Sequence, residues 1–128
     1  MSSQQPPPRI LIVDDEPEIR SFMSDALGAF GYLVRMAAGA NEAFALAART
    51  PFDLVICDLG LPGLEGAELI ARLRGIVPAV PVIMLTGATP DDQHVRRVRE
   101  AGLAVLHKPV GLLQLHRAVM EALAKGRS

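Results

Sequence analysis

The side chains of this sequence that could act together chemically are Asp14, Asp15 and Glu16 in "VDDEP", Asp58 in "CDLGLPG", Thr86 in "MLTG" and Lys108 in "HKPV". Taken singly, each has an ordinary structural role. An acid between an apolar run and a helix start is a common N-cap. Asp58 before a glycine-proline loop suits a turn, Thr86 can bond its own turn, and Lys108 can lie in water. Brought to one place, however, they amount to four carboxylates, a hydroxyl and an ammonium. Carboxylates that close repel, and the set is tolerable when a cation sits among them or one takes up a proton. A hard divalent ion with oxygen ligands, Mg²⁺ above all, is the economical partner.

What could bring them together is the order of elements. Apolar runs recur at 10–13 ("ILIV"), 32–36 ("YLVRM"), 54–57 ("LVIC"), 82–85 ("VIML") and 103–106 ("LAVL"). Near-continuous apolarity, rather than alternation, predicts strands covered on both faces. Between them lie segments of helical period. Ile19, Phe22, Met23, Ala26, Leu27 and Phe30 make one stripe that ends at Gly31, a C′ position. A second helix is expected over 40–50, before Pro51, and a third over 65–74, burying Leu69, Ile70 and Leu73 and ending at Gly75. The fourth starts in "TPDD" with Thr89 as N-cap and Pro90 at N1; the fifth, over 111–125, aligns Leu112, Leu115, Val119 and Leu123. Strand and helix thus alternate five times, which predicts an α/β fold with a parallel sheet between helical layers. Ligands of such folds bind at the carboxyl ends of the strands, where every candidate residue stands.

The bulk properties fit one domain. At 128 residues, half of them hydrophobic, the chain can bury a single core. With 13 basic and 14 acidic residues the net charge is -1, which gives no electrostatic reason for binding nucleic acid or anionic lipid. The acids nevertheless concentrate toward the N-terminal half, where "VDDEP" lies. The single cysteine, Cys57, excludes an internal disulfide and reads as a core thiol, consistent with a cytoplasmic setting. No apolar run reaches the roughly 18 residues of a membrane span, and "MSSQQPPPR" lacks the apolar region of a signal peptide. Residues 1–8 are expected to be a disordered or extended lead-in, 9–125 the domain, and 126–128 a tail.

"VDDEP", "CDLGLPGLEG", "MLTG" and "HKPV" together resemble, in order and spacing, the motifs of the receiver domains of two-component response regulators, the CheY-like superfamily. The resemblance implies a flavodoxin-like, doubly wound (βα)5 sandwich with strand order 2-1-3-4-5. It implies that Asp58 accepts a phosphoryl group from a phosphohistidine on a sensor histidine kinase or a histidine phosphotransfer protein, the protein being no enzyme beyond its own phosphotransfer and autodephosphorylation. Asp15, Asp58 and the backbone carbonyl of Gly60 would hold Mg²⁺, with Mn²⁺ a possible substitute, and Asp14 would reach the ion through water. Thr86 and Lys108 would contact the phosphoryl oxygens, Pro109 would follow a cis peptide bond, and Glu16 would serve only the helix start. Thr86 and position 105 would form the switch.

The sequence departs from that pattern in three ways. Val105 stands where receivers usually carry an aromatic residue, and a strand-core role suits it. Gly60 and Ala88 occupy the two positions that set water access to the phosphoryl group, and neither side chain can orient a water. Glu65 replaces a common aspartate beyond the metal site. His94, His107 and His116 lack a second ligand at metal spacing and read as surface or packing residues. A haloacid-dehalogenase-type phosphatase would need an acid at Gly60, and a flavodoxin-like FMN module would need aromatics that are few here. A pseudo-receiver is disfavoured by the full acidic set. With no DNA-binding module in the sequence, output is expected through protein contact on the fourth helix, fifth strand and fifth helix, where Arg96, Arg97 and Arg99 lie beside Val95 and Val98. A monomer or weak dimer is expected, either as a stand-alone protein, as Met1 suggests, or as the receiver segment of a hybrid sensor kinase.

Overall fold

The computed structural model describes residues 6–61, 66–76 and 79–126. Among them five strands alternate with five helices: β1 (Arg9–Val13), α1 (Pro17–Ala29), β2 (Leu33–Ala37), α2 (Ala40–Arg49), β3 (Leu54–Asp58), α3 (Gly66–Ile76), β4 (Val82–Thr86), α4 (Gln93–Glu100), β5 (Ala104–His107) and α5 (Leu112–Gly126). The strands form one parallel sheet in the order β2-β1-β3-β4-β5. From β1 the chain goes first to β2 on one side and then to β3 on the other. The switch point between β1 and β3 therefore opens at the carboxyl ends that carry Asp14 and Asp58.

Strand alternation divides the apolar residues between two cores. Leu11, Val13, Val55, Cys57, Val82 and Met84 pack with Ala43, Phe44 and Ala47 of α2 and Leu69 and Leu73 of α3. Ile10, Ile12, Leu54, Ile56, Ile83 and Leu85 pack with Met23 and Leu27 of α1 and Leu115, Val119 and Leu123 of α5. Burial on both faces explains why β1, β3 and β4 read as unbroken apolar runs. The same reading fails at the sheet edges. β2 leaves Leu33 and Met36 more than 40% exposed, and no residue of β5 is fully buried. An edge strand has a neighbour on one side only, so its cover is thinner.

Helix ends follow local chemistry. Gly31 and Gly102 take positive φ, of 96° and 85°, at the C′ positions of α1 and α4. There the N–H groups of Gly31 and Tyr32 close onto the carbonyls of Gly28 and Leu27, and those of Gly102 and Leu103 onto Arg99 and Val98. The start of α4 differs from the sequence expectation. Thr89 and Pro90 belong to a turn in which Asp92 N–H bonds the Thr89 carbonyl at 3.0 Å, and Asp92 is the N-cap, its Oδ1 accepting from His94 N at 2.8 Å. A proline at the second position of a turn satisfies the same fixed φ as one at N1, so the motif "TPDD" is ambiguous between the two.

Other details refine the expected stripes and ends. Phe22 and Leu112 lie on the flanks of their helical stripes and are 40% and 48% exposed. Val95 and Val98 face the core, so the outer side of α4 is left to its arginines. The third helix runs through Gly75 to Ile76, and α5 includes Gly126. The lead-in joins the fold by residue 8, whose carbonyl accepts from Leu33 N at 3.0 Å. Glu65 and the side chain of Ile70 lie outside the described residues.

Candidate functional site

Asp14, Asp58, Thr86 and Lys108 are each fixed by bonds to the backbone at a strand end, while Asp15 is exposed beside them. Asp14 is fully buried; its N–H bonds the Ala37 carbonyl at 3.1 Å, its own carbonyl accepts from the Arg20 guanidinium at 2.7 Å, and its Oδ1 accepts from Glu16 N at 2.8 Å. Asp58 is also buried, and its Oδ1 accepts from Gly60 N at 2.9 Å while Leu59 N bonds the Leu85 carbonyl. Thr86 is buried, and its Oγ1 accepts from Ala88 N at 2.9 Å, the local turn bond that a threonine there would make by itself. Lys108 N bonds the Thr86 carbonyl at 2.7 Å, and the Lys108–Pro109 peptide is cis.

These strand ends do converge. The Lys108 ammonium lies 2.8 Å from Glu16 Oε1, 3.0 Å from Asp14 Oδ2 and 3.4 Å from Asp58 Oδ2. Its contact with Asp14 is an ion pair, and beyond that ammonium the buried Oδ2 has no hydrogen-bond partner among the described residues. Oxygens of Asp14, Asp15, Glu16 and Asp58 all lie within 4.8 Å of one another. Three of these four carboxylates thus contact one ammonium, and the exposed Asp15 completes the acidic cluster.

The electrostatic strain is visible at Asp58. Burial pushes its carboxyl above the usual range and the Asp14 charge adds to this, against the lowering effects of the Gly60 N–H and of Lys108. Burial pulls the Lys108 ammonium down, but Glu16, Asp14 and Asp58 outweigh it and hold the proton more tightly than in water. Cys57, next to Asp58, is a buried thiol pushed strongly upward, first by burial and then by the two aspartates, and is chemically quiet. The donor set suits a hard divalent cation. It offers carboxylate oxygens of both buried and exposed residues, one of them a buried oxygen whose partner is the shared Lys108 ammonium, in a cluster short of positive charge.

Beside the cluster is a cleft of about 380 Å³, with Asp58 and Thr86 on its floor and Gly60, Ala88, Asp92 and His94 around it. Three residues of this region were not legible as partners. Glu16 is the N-cap of α1 but makes no side-chain cap; its carboxylate holds Lys108 instead, which corrects its reading as helix start alone. Arg20 bonds the Asp14 carbonyl, and His107 bonds the loop after β4. His116 stacks on Phe30 at 3.9 Å, between α5 and the end of α1, remote from the strand ends in sequence and role. Val105 is partly buried against the core on the α2 and α3 side.

An open, doubly wound sheet with a carboxylate cluster and a lysine at its switch point defines a small class of proteins. The response regulator receiver domain family matches residues 10–120, and the chain belongs to that family. It is 36% identical over 115 residues to the response regulator protein PilR of Pseudomonas aeruginosa, an alignment covering 90% of this chain and 26% of that protein. It is 38% identical over 104 residues to a response regulator receiver protein of Anaeromyxobacter, covering 81% of this chain and 44% of that one. The chain therefore spans less than half the length of these curated relatives. Among solved structures, a CheY-like receiver domain protein from Methanospirillum hungatei superposes with a TM-score of 0.86 at 33% identity, covering 94% of this chain and 97% of that one. Chemotaxis protein CheY4 of Vibrio cholerae gives 0.82 at 29% identity, covering 91% and 98%. No helix among the described residues is long and apolar enough to cross a membrane.

Proposed function

We propose that this receiver domain takes a phosphoryl group from a phosphohistidine, on a sensor histidine kinase or a histidine phosphotransfer protein, onto Asp58. The observation that carries the reading is the buried Asp58 carboxylate facing Lys108 at 3.4 Å, beside Asp14 and at the mouth of an open cleft. A carboxylate oxygen of Asp58 attacks phosphorus, and the bond from phosphorus to the donor nitrogen breaks. The donor ring carries a proton on its other nitrogen, so the electron pair of the broken bond leaves it as a neutral imidazole. Gly60 N–H fixes the rotation of the carboxylate. Lys108, held over the site by Glu16 and Asp14, carries the positive charge that the incoming phosphoryl oxygens need. The Thr86 hydroxyl can donate to another of those oxygens while its lone pair keeps the Ala88 N–H.

Asp15, Asp58 and the Gly60 carbonyl would hold Mg²⁺, or Mn²⁺ in its place, with Asp14 acting through water; the bound ion supplies charge neutralisation. Partner contact would follow on α4, β5 and α5, where Leu113 is 79% exposed and a groove of about 630 Å³ runs beside β5. The cytoplasm is the setting proposed with this reading.

Incubation with acetyl phosphate and Mg²⁺, followed by intact-mass analysis, should yield a phosphoryl adduct stable in acid and lost in base. An unmodified mass under these conditions would overturn the reading. The lifetime of that adduct is expected to lack side-chain control at Gly60 and Ala88. A Cβ at Gly60 would stand 3.6 Å from Asp58 Oδ1, an ordinary contact, so Gly60→Asn is sterically admissible. Combined with Ala88→Glu, it should change the dephosphorylation rate several-fold, read from decay of the adduct.

A further inference from the structure

His107 makes two directed bonds. Its Nδ1 lies 3.0 Å from the Ala88 carbonyl oxygen and its Nε2 2.9 Å from the Arg99 guanidinium. A carbonyl oxygen only accepts and a guanidinium only donates, so the hydrogen must be on Nδ1 and the lone pair on Nε2. A single neutral imidazole satisfies both partners; the other tautomer satisfies neither. The ring therefore joins three elements: the loop after β4, strand β5, and the last turn of α4.

We infer that His107 is a positioning residue that couples the loop after β4 to α4. The inference rests on the phosphoacceptor reading above for the event that it transmits. Ala88 is gripped from both sides, its N–H by Thr86 Oγ1 and its carbonyl by His107. When the Thr86 hydroxyl turns to a phosphoryl oxygen, Ala88 must follow it, and the bond to His107 must follow or break. A ring that follows, or that is released to turn, moves its Nε2 and with it the bond to Arg99. α4 is well suited to respond, being an eight-residue helix whose buried side chains are Val95 and Val98. The apolar Val105, two residues earlier on β5, has no polar atom with which to make such a link. The exposed Arg99 contact contributes direction more than stability.

The tautomer can be tested without any phosphodonor. Long-range proton–nitrogen spectra of the imidazole at about pH 8, where an ordinary histidine is neutral, should show His107 with its hydrogen on Nδ1. A hydrogen on Nε2 would overturn the inference. With acetyl phosphate and Mg²⁺, wild-type amides should shift both at Gly87 and Ala88 and along Val95–Arg99. In His107→Leu the adduct mass and the loop shifts should persist while the α4 shifts are lost. His107→Asn, whose amide can still donate to the Ala88 carbonyl, should behave the same on α4. Arg99→Leu, at an exposed position where folding is not at risk, should also lose the α4 shifts alone. Undiminished α4 shifts in Arg99→Leu and His107→Leu would sink the coupling. Absence of an adduct in the wild type would instead fail the phosphoacceptor reading, and the tautomer would then decide the His107 geometry by itself.

Discussion

Asp58→Asn should abolish phosphoryl uptake and, in metal-free buffer at neutral pH, leave the protein more heat-stable than the wild type. The first effect follows because an amide oxygen is a far weaker nucleophile than a carboxylate. Asp53→Asn is the matched control: Asp53 lies at the opposite end of the same sheet, exposed, accepting from Arg9 N at 2.8 Å, and its loss should leave the adduct intact. The second effect follows from the raised carboxyl of Asp58, whose chief cause is burial, with Asp14 adding to it. A carboxyl raised in the folded state contributes stability that is fully present below the unfolded value of about 3.9 and is lost as pH rises through the folded value. The wild type therefore gives up stability between those two points, and the variant does not. A gain of about 1 kcal/mol, or roughly 3–5 °C in Tm, is expected at neutral pH, closing as pH falls below about 4. Saturating Mg²⁺ should reverse the order. A ligand at 100 times its Kd adds about 2.7 kcal/mol to the state that binds it, and the variant has lost one proposed ligand. A variant less stable than the wild type in metal-free buffer would mean that Gly60 N–H and Lys108 outweigh the burial of the charge.

The parts of this architecture that were legible in the sequence are those where one physical cause dominates. β1, β3 and β4 are covered on both faces, so their runs carry no polar interruption, and their carboxyl ends coincide with the abrupt change to Asp14, Asp58 and Thr86. Gly31 marked a helix end because a left-handed residue is needed there. Legibility failed where two causes share a pattern. "TPDD" can be a cap or a turn, and only the three-dimensional path of the chain makes Asp92 the N-cap. Leu33 and Met36 look like core residues because nothing local distinguishes an edge strand from a central one. The second layer of the site was hidden for a different reason. Glu16 bonds Lys108 across 92 positions and His107 bonds Ala88 across 19, and such long-range polar contacts leave no periodicity to read.

Lys108→Met should be the most destabilising substitution at this site. The ammonium is near three carboxylates, and the two that matter energetically are the buried Asp14 and Asp58; the Glu16 carboxylate is 59% exposed and contributes little. Removing the positive member of a buried ion set typically costs about 3–5 kcal/mol. Lys108 keeps some contact with water, and the remaining carboxyls can take up protons, so about 2–3 kcal/mol is expected, or roughly 6–15 °C in Tm. Methionine preserves most of the aliphatic stem, which separates charge from packing. The sign of the pH dependence then identifies the cause. Lys108 lowers the Asp58 carboxyl, so its loss lets burial and Asp14 raise that group further. The stability attached to a raised carboxyl is fully present below about 3.9 and disappears as pH climbs through the folded value. The deficit of the variant should therefore be greatest at neutral pH and shrink steadily toward pH 4, as thermal melts in metal-free buffer would measure. Adding Asp58→Asn to the same chain should recover part of it, since one buried negative charge has then been removed along with the positive one. A deficit that neither acid nor the second substitution relieves would mean that the lysine acts through the packing of its stem, and that the carboxylates at the ends of β1 and β3 tolerate one another without it.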